Sequence, residues 1–217
     1  TAYRRQRQMC IRDRNISPNK KMIFLRYAEF NKINSKKIVE TAMFFDIPHL
    51  MSQAGLNPFP SQTGANLVQP GPSSHDGLLF EEQDAAETIK TKKIIEDMLD
   101  EIKVWKSTDR ASLIAELKKS WDQNMLWWGP TGIGATYTIE RYAEQHCEPF
   151  RESFKDRKFN GHLCRVTEGS FGGFFGWPNL SLVHSGGFMG MPSTGKIGDM
   201  RVCLLYTSPS PRDLSTS

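Results

Sequence analysis

Residues 121–150 read WDQNMLWWGPTGIGATYTIERYAEQHCEPF, and they decide the fold because they join an aromatic turn to an amphipathic helix. Three strand-like segments follow: FNGHLCRV at 159–166, SFGGFFGWPNLSLVH at 170–184 and GGFMGMPSTGK at 186–196. A helix that leads into aromatic strands punctuated by glycine predicts a curved antiparallel sheet packed on helices, with a pocket on the concave side. The predicted fold class is α+β.

Helical periodicity predicts two more helices before this stretch. Asp84 can cap a helix from about Ala85 to Val104, in which apolar residues recur at helical spacing. Thr108 or Asp109 can cap a second, shorter helix with one apolar face.

The helix within 121–150 has Thr136 as its predicted cap and carries a continuous apolar stripe. Pro149 should kink or divide this helix, because proline lacks the N–H that the helical ladder needs. The side chains predicted to be largely buried in the helices and strands are Leu113, Leu117, Ile139, Tyr142, Phe150, Phe174 and Trp177.

The first part of the chain has the pattern of a β-hairpin followed by a linker. Two β-rich runs, at 21–33 and 37–46, are separated by a short polar turn. A stretch rich in Pro, Gly and Ser follows, with almost no apolar periodicity. A module boundary is therefore predicted between Asn57 and Asp84.

Both ends of the chain carry segments that one short DNA element would encode. MCIRDR at 9–14 and CLLYTS at 203–208 fit this element read in opposite orientations, since TGT CTC TTA TAC ACA TCT has a reverse complement that contains ATG TGT ATA AGA GAC A. The element resembles a transposon-end sequencing adapter. We therefore expect residues 1–14 and 203–217 to be library artefacts, and we set them aside before interpreting composition.

The charge balance argues against nucleic acid as a partner. The chain has 28 Lys and Arg against 24 Asp and Glu, a formal net charge of +4. Residues 15–202 contain 22 of each, so the positive excess belongs to the N-terminal tail. Without that tail the chain is neutral and has no dense basic cluster, so no nucleic-acid interface is expected.

Cysteine usage and hydropathy favour a reduced, cytoplasmic protein. Only Cys147 and Cys164 lie outside the two tails, which does not suggest a disulfide scaffold. No apolar run approaches the roughly 20 residues of a membrane span, and no signal-peptide pattern precedes residue 15. No membrane association is expected.

Neither a metal nor a cofactor is expected from the spacing of the motifs. The cysteines and histidines do not have metal-ligand spacing. GMPSTGK at 190–196 has the spacing of a phosphate loop, but Ile197 follows where a Ser or Thr should bind magnesium. No helical pattern comes after it either.

The helices together with NMLWWGPTGIGATYTIERY (124–142), GHLCRVTEGSFGGFFGW (161–177) and GGFMGMPSTGK (186–196) resemble the SnoaL-like polyketide cyclase or ester cyclase family of the nuclear transport factor two-like superfamily. This resemblance implies a cone, in which a strongly curved antiparallel sheet packs on helices around a pocket. FNKINSKKIVETAMFFDIPHLMSQAG (30–55) resembles the closing strands of the same kind of domain.

The resemblance implies two tandem domains, both incomplete. Residues 15–56 would be the closing strands of a first domain, 57–84 a linker, and 85–202 a second domain that lacks its own closing strands. The hairpin could then fill the vacant sheet position by pairing with the later strands, which would satisfy otherwise bare edges. A homodimer is left open.

The chemistry of the polyketide cyclases does not transfer residue by residue. In that family an Asp three residues before the strand-closing Asp is the general acid/base. Asp46 matches the strand-closing Asp, but Met43 stands three residues earlier. The acid/base role is therefore not assigned to this position.

His162 and Asp199 are the predicted catalytic residues. In FNGHLCRV, Asn160, His162 and Cys164 alternate onto one strand face, where an imidazole can carry a proton or donate a hydrogen bond. The alternative is a histidine satisfied by neighbouring backbone. Asp199 and Arg201 alternate on a later strand, so they point into the cone or form an exposed edge pair.

An aromatic set is the predicted ligand pocket, and its alternative is plain core. The predicted substrate-binding residues are Trp127, Trp128, Phe174, Trp177 and Arg201. Trp127, His162 and Trp177 are expected to line one cavity. His146 lies on the helical stripe and is expected to pack.

The predicted function is that of a SnoaL-like protein that acts on or binds a small apolar or aromatic carbonyl compound, without a cofactor. If the protein is an enzyme, the chemistry is proton transfer next to the carbonyl of a polyketide-like compound, as in cyclisation or isomerisation. The alternative is a non-catalytic ligand-binding or dimerisation module of the same fold, because a fold does not fix a function.

Overall fold

A computed structural model describes residues 16, 19–64, 81–104, 109–176 and 179–207. The helical elements are α1 (Ile47–Gln53), α2 (Ala85–Val104), α3 (Arg110–Leu117), α4 (Ile139–Tyr142), a π-helical turn (Ala143–Cys147) and α5 (Glu148–Ser153). The strands are β1 (Tyr27–Asn34), β2 (Lys37–Phe45), β3 (Leu126–Trp128), β4 (Ala135–Tyr137), β5 (Phe154–Phe159), β6 (Leu163–Glu168), β7 (Phe171–Phe175), β8 (Leu180–His184), β9 (Ile197–Met200) and β10 (Cys203–Thr207).

The strands are antiparallel, and the predicted α+β class is confirmed. Within the described ranges they form four small sheets, ordered β10-β7-β6, β5-β8-β9, β1-β2 and β3-β4. A continuous cone-shaped sheet is not seen among these strands. The helix α2 packs against β6 and β7, so one three-stranded sheet and the longest helix form the centre of the fold.

The strand β7 is enclosed on both faces, which explains its sequence FGGFF. Gly172 allows α2 to approach, because a Cβ there would lie 2.3 Å from Cδ1 of Ile95. Phe174 also faces α2 and belongs to the buried cluster that it forms with residues of this helix. On the opposite face, Phe175 packs against Phe30 of the hairpin with ring centroids 4.9 Å apart. A strand that is covered on both faces does not alternate polar with apolar residues.

The hairpin therefore joins the fold through side chains and not through strand pairing. In the described part of the chain β1 pairs only with β2, and β7 has β6 and β10 as its two neighbours. The expectation that the hairpin extends the later sheet is wrong. In this structure β6 occupies one edge of β7, and β10, from the C-terminal segment expected to be an artefact, occupies the other. Phe30 and Phe44 pack on the face of β7 instead.

Asp46 connects the hairpin to the loop after β3. Its carboxylate forms an ion pair with Arg26 and accepts a hydrogen bond from the backbone N–H of Thr131 at 3.2 Å. Arg26 also donates to the carbonyl oxygen of Gly129 at 3.1 Å. The other carboxylate oxygen accepts from the backbone N–H of His49 and caps α1. The strand-closing Asp therefore has a structural role here.

The first two predicted helices are confirmed. The helix α2 has the predicted bounds, and Asp84 accepts a hydrogen bond from the N–H of Ala86 at 2.8 Å. Asp109 caps α3 by accepting from the N–H of Ser112. Most of the predicted core is buried, namely Leu113, Leu117, Ile139, Tyr142 and Phe174. Phe150 is only half-buried, and Trp177 lies outside the described residues.

The third helix starts later than predicted. Thr136 is buried in β4 and does not cap the helix, which begins at Ile139. Thr138 precedes it with a φ of 74°, and its side chain forms no capping hydrogen bond. Thr136 belongs to a strand because it pairs with Trp127 of β3.

Pro149 divides this helix, as predicted. Its missing N–H leaves the carbonyl of Gln145, four residues earlier, without its α-helical donor. The helix forms a π-helical turn just before Glu148. The hydroxyl of Thr63 donates a hydrogen bond to the Gln145 carbonyl oxygen at 2.5 Å. A residue from the predicted linker thus supplies the hydrogen bond that proline removes.

Thr63→Val is expected to lower the free energy of unfolding by about 1–2 kcal/mol, because the Gln145 carbonyl loses its donor at a partly buried site. Urea unfolding at pH 7 measures this change. The matched control is Thr41→Val, which removes an exposed hydroxyl that donates to Asn31. Equal effects of the two substitutions would contradict the capping role of Thr63.

Candidate functional site

His162 is held at a break between two strands. Gly161 has a φ of +65°, so β5 ends before it and β6 starts at Leu163. This turn directs His162 inward, where it is only 9% exposed. Its ring lies 5.7 Å from that of Phe159 and 6.1 Å from that of Phe174, measured between centroids. The imidazole therefore lies in apolar surroundings.

Asn179 sets the tautomer of His162. Its Oδ1 accepts from the backbone N–H of Val202 at 3.1 Å, and its Nδ2 donates to the carbonyl of Val202 at 2.9 Å. A backbone N–H only donates and a carbonyl only accepts, so these two bonds fix which amide atom is nitrogen. The second N–H of that nitrogen then faces Nε2 of His162 at 3.1 Å. Nε2 is the acceptor, and Nδ1 carries the proton.

This assignment leaves one unused donor. Nδ1 of His162 is buried and has no hydrogen-bond partner among the described residues. Burial, and secondly the positive charge of Lys103, lowers the pKa of His162 to about 4. The imidazole is therefore neutral at pH 7 and presents an N–H. Such a group can donate to a ligand oxygen, but it is not a free base.

Asp199 belongs to a different network. Its carboxylate is exposed on β9 and accepts from the hydroxyl of Ser181 at 2.8 Å, which in turn accepts from the amide of Asn160 at 2.8 Å. Asn160 is exposed while His162 is buried, so the prediction that these two residues share a face is wrong. The positive φ of Gly161 interrupts the strand alternation. The structure does not bring His162 and Asp199 together as an acid/base pair.

Trp127 and Trp128 point to opposite faces of β3. Trp127 is half-buried, stacks on His146 with centroids 4.7 Å apart and meets Tyr142 edge-on at 5.0 Å. Trp128 is 37% exposed on the outer face. The rings that contact Trp127 are those of Tyr142 and His146, whereas His162 contacts Phe159 and Phe174. The described contacts therefore do not place these two residues in one cavity.

The remaining predicted binding residues have distinct positions. Phe174 lies beside His162 but also forms the buried core against α2. Arg201 is exposed just after β9. Trp177 cannot be placed, because it lies outside the described ranges.

The sequence assigned no functional role to two polar side chains, Asn179 beside His162 and His146 in a separate aromatic row. Asn179 follows Trp-Pro and carries no motif, since its role depends on Val202, which is 23 positions away. His146 was expected only to pack, and it does pack within an aromatic row. Its unpartnered Nδ1 is a property that helical spacing cannot reveal.

Within the described ranges, no group of three or more His, Cys, Asp or Glu side chains is placed to hold a metal ion. None of the described helices combines the length and apolar character that a bilayer crossing requires. The chain matches no protein-family model, no curated protein and no solved structure.

Proposed function

We propose that this protein binds a small, largely apolar carbonyl compound through His162. The observation that carries the proposal is the buried Nδ1–H of His162, which has no partner among the described residues. A buried donor without an acceptor costs free energy, and a ligand oxygen placed there would recover it. The Asn179 amide holds the ring in the orientation that keeps this N–H available.

The surroundings of His162 favour one class of ligand. Phe159 and Phe174 offer ring surfaces, which suit an apolar or aromatic body. The charge of Lys103 acts on the imidazole and favours a partial negative charge on a nearby ligand atom. A ketone or similar carbonyl oxygen on an apolar frame meets both requirements.

A catalytic version of this function is favoured by one observation, namely that His162 is neutral and has an unpartnered Nδ1–H. A neutral imidazole that donates an N–H can polarise a carbonyl and acidify the adjacent C–H. In this version the protein is a SnoaL-like cyclase or isomerase, and His162 is the electrophilic group. Asp199 pairs with Ser181 on the exposed face, so the base in this version is a group other than Asp199.

We expect 4-fluoroacetophenone to bind about tenfold more tightly than 1-ethyl-4-fluorobenzene, because one additional buried hydrogen bond contributes roughly 1–1.5 kcal/mol. Fluorine NMR titration measures both affinities. His162→Phe keeps an aromatic ring but removes the donor, so it should abolish the preference.

The matched control is His184→Phe, which changes a histidine that packs against Phe154 at the end of β8. This variant should keep the preference for the ketone. Equal affinity of the wild-type protein for the two probes would contradict the proposal. Nitrogen-15 NMR provides a second test, since the imidazole of His162 should carry its proton on Nδ1 at pH 7.

A further inference from the structure

A second group of buried polar atoms lies around Trp127, in a part of the fold that the His162 site does not use. We call Trp121, Trp127, Thr136, Tyr142 and His146 the Trp127 cluster. Tyr142 is in ring contact with the other three aromatic side chains, at centroid distances of 5.0 to 5.6 Å. Thr136 is the strand partner of Trp127 across β3 and β4.

The backbone is shaped to bring these side chains together. The ring of Trp127 lies over Gly129, where a Cβ would come within 2.0 Å of its Cζ3. The π-helical turn carries His146 into a stacked position on Trp127, with an interplanar angle of 29°. Pro149 and Thr63 fix that turn, so the cluster does not depend on an exposed loop.

Three side chains of the cluster have unmet hydrogen-bonding capacity. Trp121 Nε1, Thr136 Oγ1 and His146 Nδ1 are all buried and have no partner among the described residues. Tyr142 is different, because its hydroxyl is not among these unpaired buried atoms. Buried polar atoms are nearly always paired, and a guest molecule that reaches these three atoms would supply the partners that they lack among the described residues.

The chemistry of the three atoms defines that guest. An indole N–H only donates, a threonine hydroxyl donates and accepts, and a neutral imidazole nitrogen accepts when the other ring nitrogen holds the proton. A hydroxyl group can both accept from an indole N–H and donate to an imidazole nitrogen. The ring planes of Trp127 and Tyr142 favour a flat molecule.

Charge excludes an ionic guest. None of the five side chains of the cluster is charged at pH 7, because burial lowers the pKa of His146 to about 4. The nearby Arg151 and Glu116 form an ion pair with each other at 3.8 Å. A guest with a net charge would therefore be desolvated without an opposite charge to compensate it.

We propose that the Trp127 cluster is a second binding site, which takes a small neutral aromatic alcohol. The hydroxyl of the guest accepts from Trp121 Nε1–H and donates to His146 Nδ1, and Thr136 Oγ1 supplies the third polar contact. This site is distinct from the carbonyl site, because the ring neighbours of His162 are Phe159 and Phe174.

The test uses 4-fluorophenol and 4-fluorotoluene, in which a methyl group replaces the hydroxyl group. Fluorine NMR titration of the wild-type protein should show 4-fluorophenol binding at least about tenfold more tightly. His146→Phe and Thr136→Val should each reduce this preference, since each removes a polar partner and keeps the shape. His162→Phe should leave it unchanged.

Thr91→Val is the matched control for Thr136→Val. Thr91 is fully buried in α2, and its hydroxyl also has no partner among the described residues, but it lies outside the cluster. This variant should keep the full preference for 4-fluorophenol. Equal binding of the two probes by the wild-type protein, or an equal loss in the Thr91 and Thr136 variants, would overturn the proposal.

A measurement on the wild-type protein covers the case in which a variant does not fold. In a two-dimensional nitrogen-15 spectrum, 4-fluorophenol should shift the indole N–H signal of Trp121, which is identified by selective labelling and assignment. 4-Fluorotoluene should shift it much less. If neither probe shifts the indole N–H signal of Trp121, the cluster is a closed core and the proposal is overturned.

Discussion

Phe174→Ala is expected to lower the free energy of unfolding by about 3–5 kcal/mol, the range for removing a buried aromatic ring. Phe174 is only 3% exposed and packs against Ile95, Met98 and Leu99. Its loss leaves a cavity between α2 and β7. Because α2 and the central strand meet at this ring, the remaining side chains have little freedom to fill the space. Urea unfolding followed by circular dichroism measures the change.

The control is Phe45→Ala, the same chemical change on the outer face of the hairpin. Phe45 is 47% exposed, so its substitution should cost less than about 1 kcal/mol. The comparison also separates the two roles predicted for Phe174. If Phe174→Ala kept wild-type stability but lost affinity for 4-fluoroacetophenone, Phe174 would be a pocket residue and its assignment to the core would be wrong.

Acid is expected to destabilise the protein between pH 6.5 and pH 4, with His146 as one identifiable cause. Burial lowers the pKa of His146 from 6.5 to about 4 in the folded state. Above pH 6.5 the imidazole is neutral in both states and has no effect. As the pH falls below 6.5, the unfolded chain binds a proton that the folded protein does not bind, so stability decreases. The loss for His146 alone approaches about 3 kcal/mol near pH 4.

His146→Phe isolates this contribution. Phenylalanine continues the row formed by Trp127 and Phe150 and has no group that titrates. The difference in unfolding free energy between the variant and the wild-type protein should grow in favour of the variant as the pH falls from 6.5 to 4. Carboxylates that titrate in this range affect both proteins and cancel in the difference. Parallel pH profiles would contradict the assignment.

Local features of the fold could be predicted because they depend on neighbours in the chain. The bounds of α2 follow from the spacing of its apolar residues, and Asp109 caps α3 through a hydrogen bond that spans three positions. Pro149 divides its helix because its own ring removes a donor. These rules act within about one helical turn, so they hold whatever the rest of the chain does.

The sheet arrangement was not predictable in the same way. The alternation of FNGHLCRV indicated one continuous strand, but the φ of Gly161 ends β5 and separates Asn160 from His162. Glycine adopts positive and negative φ with similar ease, so the sequence did not reveal which of them occurs. The role of the hairpin depended on which strands occupied the edges of β7. Those strands are β6 and β10, so Phe30 of the hairpin packs on the face of β7, a contact between distant parts of the chain.

The sequence by itself determined the α+β class, the ends of α2, the cap of α3, the apolar residues available for a core and the presence of an imidazole at His162. Only the tertiary structure decided what that imidazole can do. Its tautomer depends on Asn179 and Val202, and its neutrality depends on burial among Phe159 and Phe174. Burial and hydrogen-bond satisfaction are properties of groups that packing brings together from distant parts of the chain, so a linear pattern cannot fix them.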